Sequence, residues 1–241
     1  MKNKGMMLSI PIVSCIKRYK KFLYPSLSSL IKNSDFNHEI IVVSEDSELE
    51  RFIKNDFGID FIFNQKDKSL TNHKVPYDLF NLGFRSATCE LVLAPTGDDN
   101  YYPEGWDRIL LQEAYPAETM IWMPTYIEIN THTTYLDAGG VGYSLQTGGQ
   151  ITAPEIEMFA SKCIKKQTVT GKPWKDKEFQ FCPNAVIAKR IFSTCGYFPE
   201  INESSIPADA EFFKSLYEYG VSVTKVCETY IANLKDVERL L

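Results

Sequence analysis

Leu91-Val92-Leu93-Ala94-Pro95-Thr96-Gly97-Asp98-Asp99-Asn100 passes from an apolar run into two adjacent carboxylates. A short apolar run bounded by turn residues reads as a buried strand. In an open α/β sheet, ligands bind beyond the carboxyl ends of the strands. Paired acids at such an end suit a hard divalent cation, Mg²⁺ or Mn²⁺, which takes a carboxylate or two together with substrate phosphate oxygens. Gly-Asp-Asp-Asn is equally good turn composition, so the surroundings must separate the two readings.

Upstream, apolar and helical segments alternate. Leu8 to Cys15 reads as a buried strand, and Tyr19 to Lys32 as a helix that must accommodate Pro25. Glu39 to Ser44 is the cleanest strand, a β-branched run. Ser47 to Asp56 is helical with Gly58 as its stop. Ile59 to Phe63 is a strand, Tyr77 to Ala87 a helix and Glu90 to Ala94 a fourth strand. Strands separated by helices predict βαβ units and a mostly parallel sheet of the α/β class. Beyond Asp99 the rhythm loosens. Glu104 to Glu113 reads as a helix and Met120 to Met123 as a buried strand. Thr125 to Gln150 is rich in Thr, Tyr and Gly, which predicts short strands and loops outside the hydrophobic core. Pro154 to Lys166 is a helix, Lys172 to Pro183 an irregular aromatic stretch, and Ala188 to Cys195 and Asp209 to Tyr219 are helices, Gly220 capping the last. With no repeat or low-complexity linker, residues 1–241 read as a single domain: a nucleotide-binding half to about residue 103, then a more irregular half from about 104.

The bulk properties exclude several classes. A net charge of −5 and a pI near 5.4 argue against nucleic acid as a major ligand, because binding its backbone needs a basic patch. The compact basic run, Lys17-Arg18-Tyr19-Lys20-Lys21, is the solvated start of a helix or a neighbour of an anionic ligand. Six cysteines form no CxxC pair and three histidines no HxxxH or HExxH pattern, so no zinc site is expected and the cysteines read as buried thiols of a reducing compartment. Lys2 and Lys4 before Met6 to Ile16 imitate a secretory leader. Pro11 interrupts that run and no small-residue cleavage site follows, which predicts a buried first strand in a cytoplasmic protein. Nothing approaches the apolar length of a transmembrane segment.

Four segments resemble, in order and separation, the inverting glycosyltransferases of family 2, over roughly residues 8 to 220. Ile12-Val13-Ser14-Cys15-Ile16 stands at the place of the usual Ile-Pro-Thr-Tyr-Asn. Glu39-Ile40-Ile41-Val42-Val43-Ser44-Glu45-Asp46-Ser47 is similar to Glu-Ile-Ile-Val-Val-Asp-Asp-Gly-Ser. The third runs from Asn81-Leu82-Gly83 through Ala87 and Glu90 to Thr96-Gly97-Asp98-Asp99. The fourth is Phe192 with Gly196-Tyr197-Phe198, then Asp209 and Gly220. The resemblance implies a GT-A fold, with a mostly parallel Rossmann-like central sheet flanked by helices and an irregular C-terminal acceptor half. It also implies a metal-dependent, inverting transfer from a nucleotide-diphospho-sugar, a UDP-sugar favoured, to a saccharide or other hydroxyl acceptor. Asp99 then matches the carboxylate that reaches Mn²⁺ or Mg²⁺, and Asp98 the acid near the donor ribose and metal. Ser14, Cys15 and Ile16 border the nucleotide, Ser44 and Glu45 take the place of two acids, one of which usually pairs with the base, and Lys74 and Asn81 belong to the donor set. Asp209 matches the general base. A cation neutralises a diphosphate leaving group, and a positioned base is worth ~10²–10⁴-fold.

Each residue also has a structural explanation. Ser14 suits a turn, Glu45, Asp46 and Asp209 suit helix N-termini, and Asn81 and Trp106 suit packing. The aromatics of the middle region, Trp122, Tyr126, Tyr135, Tyr143, Trp174 and Phe179, suit sugar stacking or core. Thr96 replaces the first acid of the third motif, Ser44 the first acid of the second, Ala208 the acid before Asp209, and Ser215 a frequent arginine. No histidine follows His132 to complete a metal shell. These departures keep a non-catalytic carbohydrate or nucleotide binder open. A sugar-1-phosphate nucleotidyltransferase would call for a Gly-rich loop after the first strand, where Ser14-Cys15-Ile16-Lys17-Arg18 has no glycine.

Overall fold

In the computed structural model, which describes residues 6–64, 77–114, 120–130, 142–163, 167–169, 184–199, 208–234 and 239–240, the alternation becomes a sheet. β1 (Met6–Val13), α1 (Ile16–Arg18), α2 (Tyr24–Asn33), β2 (Asn37–Ser44), α3 (Ser47–Asp56), β3 (Asp60–Phe63), α4 (Tyr77–Ser86) and β4 (Leu91–Ala94) follow one another. These four strands lie parallel in the order β3-β2-β1-β4. Residues 39–44 of β2 are all buried, as a β-branched run covered on both faces should be.

The second half is β5 (Asn100–Tyr101), α5 (Trp106–Glu113), β6 (Met120–Asn130), β7 (Gly142–Gln146), β8 (Gln150–Ile151), α6 (Ala153–Cys163), β9 (Gln167–Val169), β10 (Ala185–Ala188), α7 (Lys189–Cys195), α8 (Ala208–Glu218), β11 (Ser222–Asn233) and β12 (Arg239–Leu240). It extends the same sheet as β4-β10-β6-β11-β5, with β7 on β6 and β9 on β11, while β8 and β12 pair separately. β10 runs antiparallel to both β4 and β6, whereas β6 and β11 are parallel. The sheet is therefore parallel through β4 and mixed beyond it.

Several expectations meet their physical reasons here. Pro25 is accommodated by a π-helical turn, Tyr19–Leu23, in which the Tyr24 N–H reaches back to the Tyr19 carbonyl. A wider turn just upstream relieves the clash of a proline ring with the preceding turn. Gly58 closes the helix before it, its N–H donating to Ile53 and Lys54 carbonyls. Two expectations are corrected. Thr125 to Gln150 is not excluded from the core: β6 continues to Asn130, and Ile127 and Ile129 are fully buried beside Tyr101, Ile151 and Ile156. Their alternation with Tyr126 and Glu128 is a period of two that the polar composition concealed. Ala188 ends a strand, and the following helix starts at Lys189. The stretch after Gly220, unassigned from sequence, is the twelve-residue β11. Lys172 to Pro183 lies outside the described residues. Among the described residues no helix is long and apolar enough to cross a membrane.

α5 is locked to the end of α2 by buried polar groups. Asp107 is fully buried and accepts from the Asp35 and Phe36 amides, each at 2.9 Å, and His38 Nε2 lies 2.9 Å from its Oδ2. Trp106 packs on the His38 ring and donates its indole N–H to Ser34 Oγ at 3.1 Å. Burial alone would push the Asp107 carboxyl up, but His38 and the two amides hold it below the usual carboxylate range. An aspartate with a lowered folded pKa contributes stability above its unfolded pKa of about 3.9, and loses it as pH falls through the folded value. Asp107→Asn should cost ~1–3 kcal/mol at pH 7 and flatten the acid limb of stability, as urea denaturation from pH 7 down to pH 2.5 will read. α4 lies so close to β1 that a Cβ on Gly83 would sit 2.6 Å from Pro11 Cβ and 3.2 Å from Val43 Cγ2. Alanine in a helix gains ~1 kcal/mol over glycine, whereas overpacking costs ~1–3 kcal/mol. Gly83→Ala is therefore expected to lower the thermal midpoint, and a rise would refute the close approach.

Candidate functional site

The acid pair sits where β4 ends. All four residues of β4 are buried, the Ala94–Pro95 peptide is cis, and Thr96 bridges to Ile12 of β1. Thr96 is fully buried and turns its hydroxyl onto the Leu93 carbonyl at 2.9 Å. An aspartate there would bury a charge, so threonine suits the position. After Gly97, Asp98 and Asp99 form a turn that is fastened beyond them as well. Leu234 N–H donates to the Asp99 carbonyl at 2.7 Å, and Asn100 and Tyr101 of β5 pair with the end of β11. The Asn184 N–H donates to the Pro95 carbonyl, and Asn100 donates to the Asn184 side chain at 3.0 Å.

Both carboxylates are largely enclosed and neither is bare. The Arg18 guanidinium grips Asp98 with Nε at 3.0 and 2.8 Å and Nη2 at 2.7 Å, and Nη2 reaches Asp99 Oδ2 at 3.2 Å. Ser14 Oγ donates to Asp98 Oδ2 at 2.5 Å, and Asn233 Nδ2 to Asp99 Oδ1 at 2.6 Å. Burial first and Asp98 second push the Asp99 carboxyl up, with Arg18 and Asn233 opposing. The hydrogen bonds to Asp98 hold the guanidinium above its already high ordinary value, against burial. A Cβ on Gly97 would stand 2.7 Å from Asp99 Oδ1, so glycine leaves room for that carboxylate.

A second group borders this one. Ser44 is fully buried and its Oγ accepts from the Asp46 N–H at 3.0 Å. Asp46 caps α3 through the Glu48 N–H and also accepts from the Ile16 N–H at 3.2 Å. The loops after β1 and β2 are thereby joined, and the Ser14 N–H donates to the Val43 carbonyl. Cys15 is half-buried with extended backbone ahead of α1, and Glu45 is exposed.

The structure thus brings Ser14, Asp98 and Asp99 together, with Cys15 and Ile16 at the start of α1 and Ser44 and Glu45 at the end of β2. Asn81 is fully buried in α4, with its amide bonded both ways to the Phe198 backbone at 2.8 and 3.1 Å. Its amide fastens α4 to the segment after α7. Asp209 stands in the first turn of α8, its side chain outside the described residues, and Lys74 is outside them altogether. Trp122 is core, while the phenol of half-buried Tyr126 is pushed up by burial first, then by Glu128 and Asp99. Tyr135, Trp174 and Phe179 lie outside the described residues, as does the side chain of Tyr143. Sequence reasoning did not single out Asn233. It read Arg18 as one member of a basic run, the solvated start of a helix or a neighbour of an anionic ligand, and that run was the available signal.

No protein-family model matches the chain, and no curated protein matches it in sequence. Solved structures share its fold. The crystal structure of GalNAc-T7 with UDP, GalNAc and Mn²⁺ superposes with a TM-score of 0.64 at 12% identity, over 98% of this chain and 45% of that one. Staphylococcus aureus TarS 1–349 gives 0.62 at 16% identity, over 95% of this chain and 60% of that one. The same fragment with UDP-GlcNAc gives 0.62 at 16%. The chain therefore spans about half of these longer proteins.

Asn233→Asp would set a third carboxylate against Asp99. The like-charge contact raises the pKa of the carboxyls in the folded state, so its penalty is present at neutral pH and relieved on acidification. We expect a loss of ~1–3 kcal/mol at pH 7 that shrinks by pH 4, read from denaturant midpoints. An equal loss at both pH values would mean that Asn233 only packs.

Proposed function

We propose that this chain is a glycosyltransferase of the GT-A, family 2-like type, moving a sugar from a nucleotide-diphospho-sugar to an acceptor hydroxyl with inversion. A UDP-sugar is the favoured donor and a saccharide or other hydroxyl compound the acceptor. The observation that carries the reading is the enclosed Asp98–Asp99 pair at the carboxyl end of β4, in a fold shared with two glycosyltransferases. Those proteins were solved with UDP and with UDP-GlcNAc, which supports a uridine nucleotide. Strands from both halves share one sheet, which supports reading residues 1–241 as one domain.

The oxygens of Asp98 and Asp99 fit Mn²⁺ or Mg²⁺ in donor chemistry, and the Mn²⁺ of GalNAc-T7 is consistent with that choice. Among the described residues no third His, Cys, Asp or Glu joins them, so donor oxygens and water would supply the other ligands. Held by Asp98 and Asp99, a divalent cation would supply the positive charge that offsets the charge gathering on the departing diphosphate. Ser14 and Asn233 orient the two carboxylates, and the loops after β1 and β2 border the nucleotide. The Asp209 carboxylate takes the proton from the acceptor hydroxyl. That oxygen bonds to the anomeric carbon as the bond to the diphosphate breaks on the opposite face, which inverts the carbon.

Asp99→Asn is expected to lose metal-dependent nucleotide affinity and nearly all turnover with the fold intact. Asp209→Asn should keep donor affinity and lose ~10²–10⁴-fold in transfer. Calorimetry with UDP, GDP, dTDP and CDP, each with and without Mn²⁺, followed by transfer assays, checks both. Nucleotide binding with neither transfer nor donor hydrolysis would identify a binder instead, and pyrophosphate release would identify a nucleotidyltransferase.

A further inference from the structure

Every oxygen of the acid pair already has a partner. Asp98 gives one oxygen to Arg18 and shares the other between Arg18 and Ser14, while Asp99 gives one to Arg18 and one to Asn233. Two carboxylates and one guanidinium leave a local charge of about −1, where a cation meeting the bare pair would find about −2. Arg18 is also the outward member of the group. Its side chain is 40% exposed, against 6% for Asp98 and 14% for Asp99. The guanidinium lies over the Phe22 ring at 4.3 Å to its centre, a cation–π contact beside the acids. A guanidinium presents the same two-pronged face to a carboxylate and to a phosphate.

We propose that Arg18 is a displaceable internal counter-ion: it holds Asp98 and Asp99 in the free protein and passes to the donor diphosphate in the complex, coupling cation binding to nucleotide binding. The identity of the anion rests on the glycosyltransferase reading; the competition at the acids rests on the contacts of Arg18 alone. Arg18 Nη2 bridges the two carboxylates, so a divalent ion that takes both as ligands competes with it for charge and lone pairs. Released into water it gains little, whereas a diphosphate returns both hydrogen bonds and charge. Cation alone should therefore bind weakly, and cation with nucleotide should bind cooperatively, the coupling being reciprocal.

The test is calorimetry on the full chain with MnCl₂ alone, UDP alone and UDP in saturating Mn²⁺. The wild type, Arg18→Met and Arg18→Lys are compared, with circular-dichroism melts to establish folding. We expect Arg18→Met to bind Mn²⁺ alone ~10-fold more tightly and UDP with Mn²⁺ ~10-fold more weakly, the coupling falling towards unity from a range typically ~5–150-fold. Arg18→Lys keeps the charge without the fork and should fall between; it also carries the test if the Met variant does not fold. Unchanged or weaker Mn²⁺ affinity in the folded variants overturns the proposal. If the wild type binds no nucleotide diphosphate with Mn²⁺, the glycosyltransferase reading and the transfer to diphosphate fall together. The Mn²⁺-alone arm still decides whether Arg18 competes for the acids.

Discussion

Two neighbouring carboxylates enclosed at the end of a buried strand repel each other and are cut off from most of the water that would screen them. The guanidinium of Arg18 makes that arrangement tolerable. Removing one partner from an enclosed charge cluster costs several kcal/mol, so the elements that supply partners must arrive together. Arg18 comes from the helix after β1, Ser14 from the loop before that helix, and Asn233 from the end of β11. The position of the acids thus depends on two chain segments far from them and from each other in sequence, residues 14–18 and the end of β11.

The sheet is what makes these segments meet. β4 lies between β1 and β10, and the order continues through β6 to β11 and β5. The parallel β1–β4 pairing carries the loop after β1 to the same edge as the acids. The return of β11 against β5 fastens the far side of the turn, through Leu234 on Asp99 and Asn233 on its carboxylate. The departures from the family pattern fit this frame. Thr96 satisfies its hydroxyl on the backbone of its own strand, and Ser44 holds the amide of Asp46. Both occupy fully buried positions, where an added carboxylate would need a counter-charge.

Hydrogen bonds give several of the candidate residues a structural role. Asp46 is the cap of α3 that its place before Ser47 suggested, yet it also ties that cap to the loop after β1. Asn81 belongs to a resembling motif, but its amide is bonded to Phe198 and the residue is a fastener of α4. Trp106, adjacent to the acids in sequence, packs on His38 and Ser34. Proximity in sequence to the acids therefore did not imply membership of the site.

By itself the sequence determined the strand–helix alternation through β4, because short β-branched runs between amphipathic segments have few other ways to bury themselves. It also located the acid pair at a strand end, since an apolar run that stops at two adjacent charges has left the hydrophobic core. It could not supply the partners of those charges. Asn233 lies 134 positions from Asp99, in a strand whose mixed composition, Ser222 to Asn233, carries no clean period. Arg18 read as one cation among several in a basic run. Only the tertiary structure decided which cation turned inward, because that depends on the α1 backbone, the Phe22 ring and two carboxylates some 80 residues away.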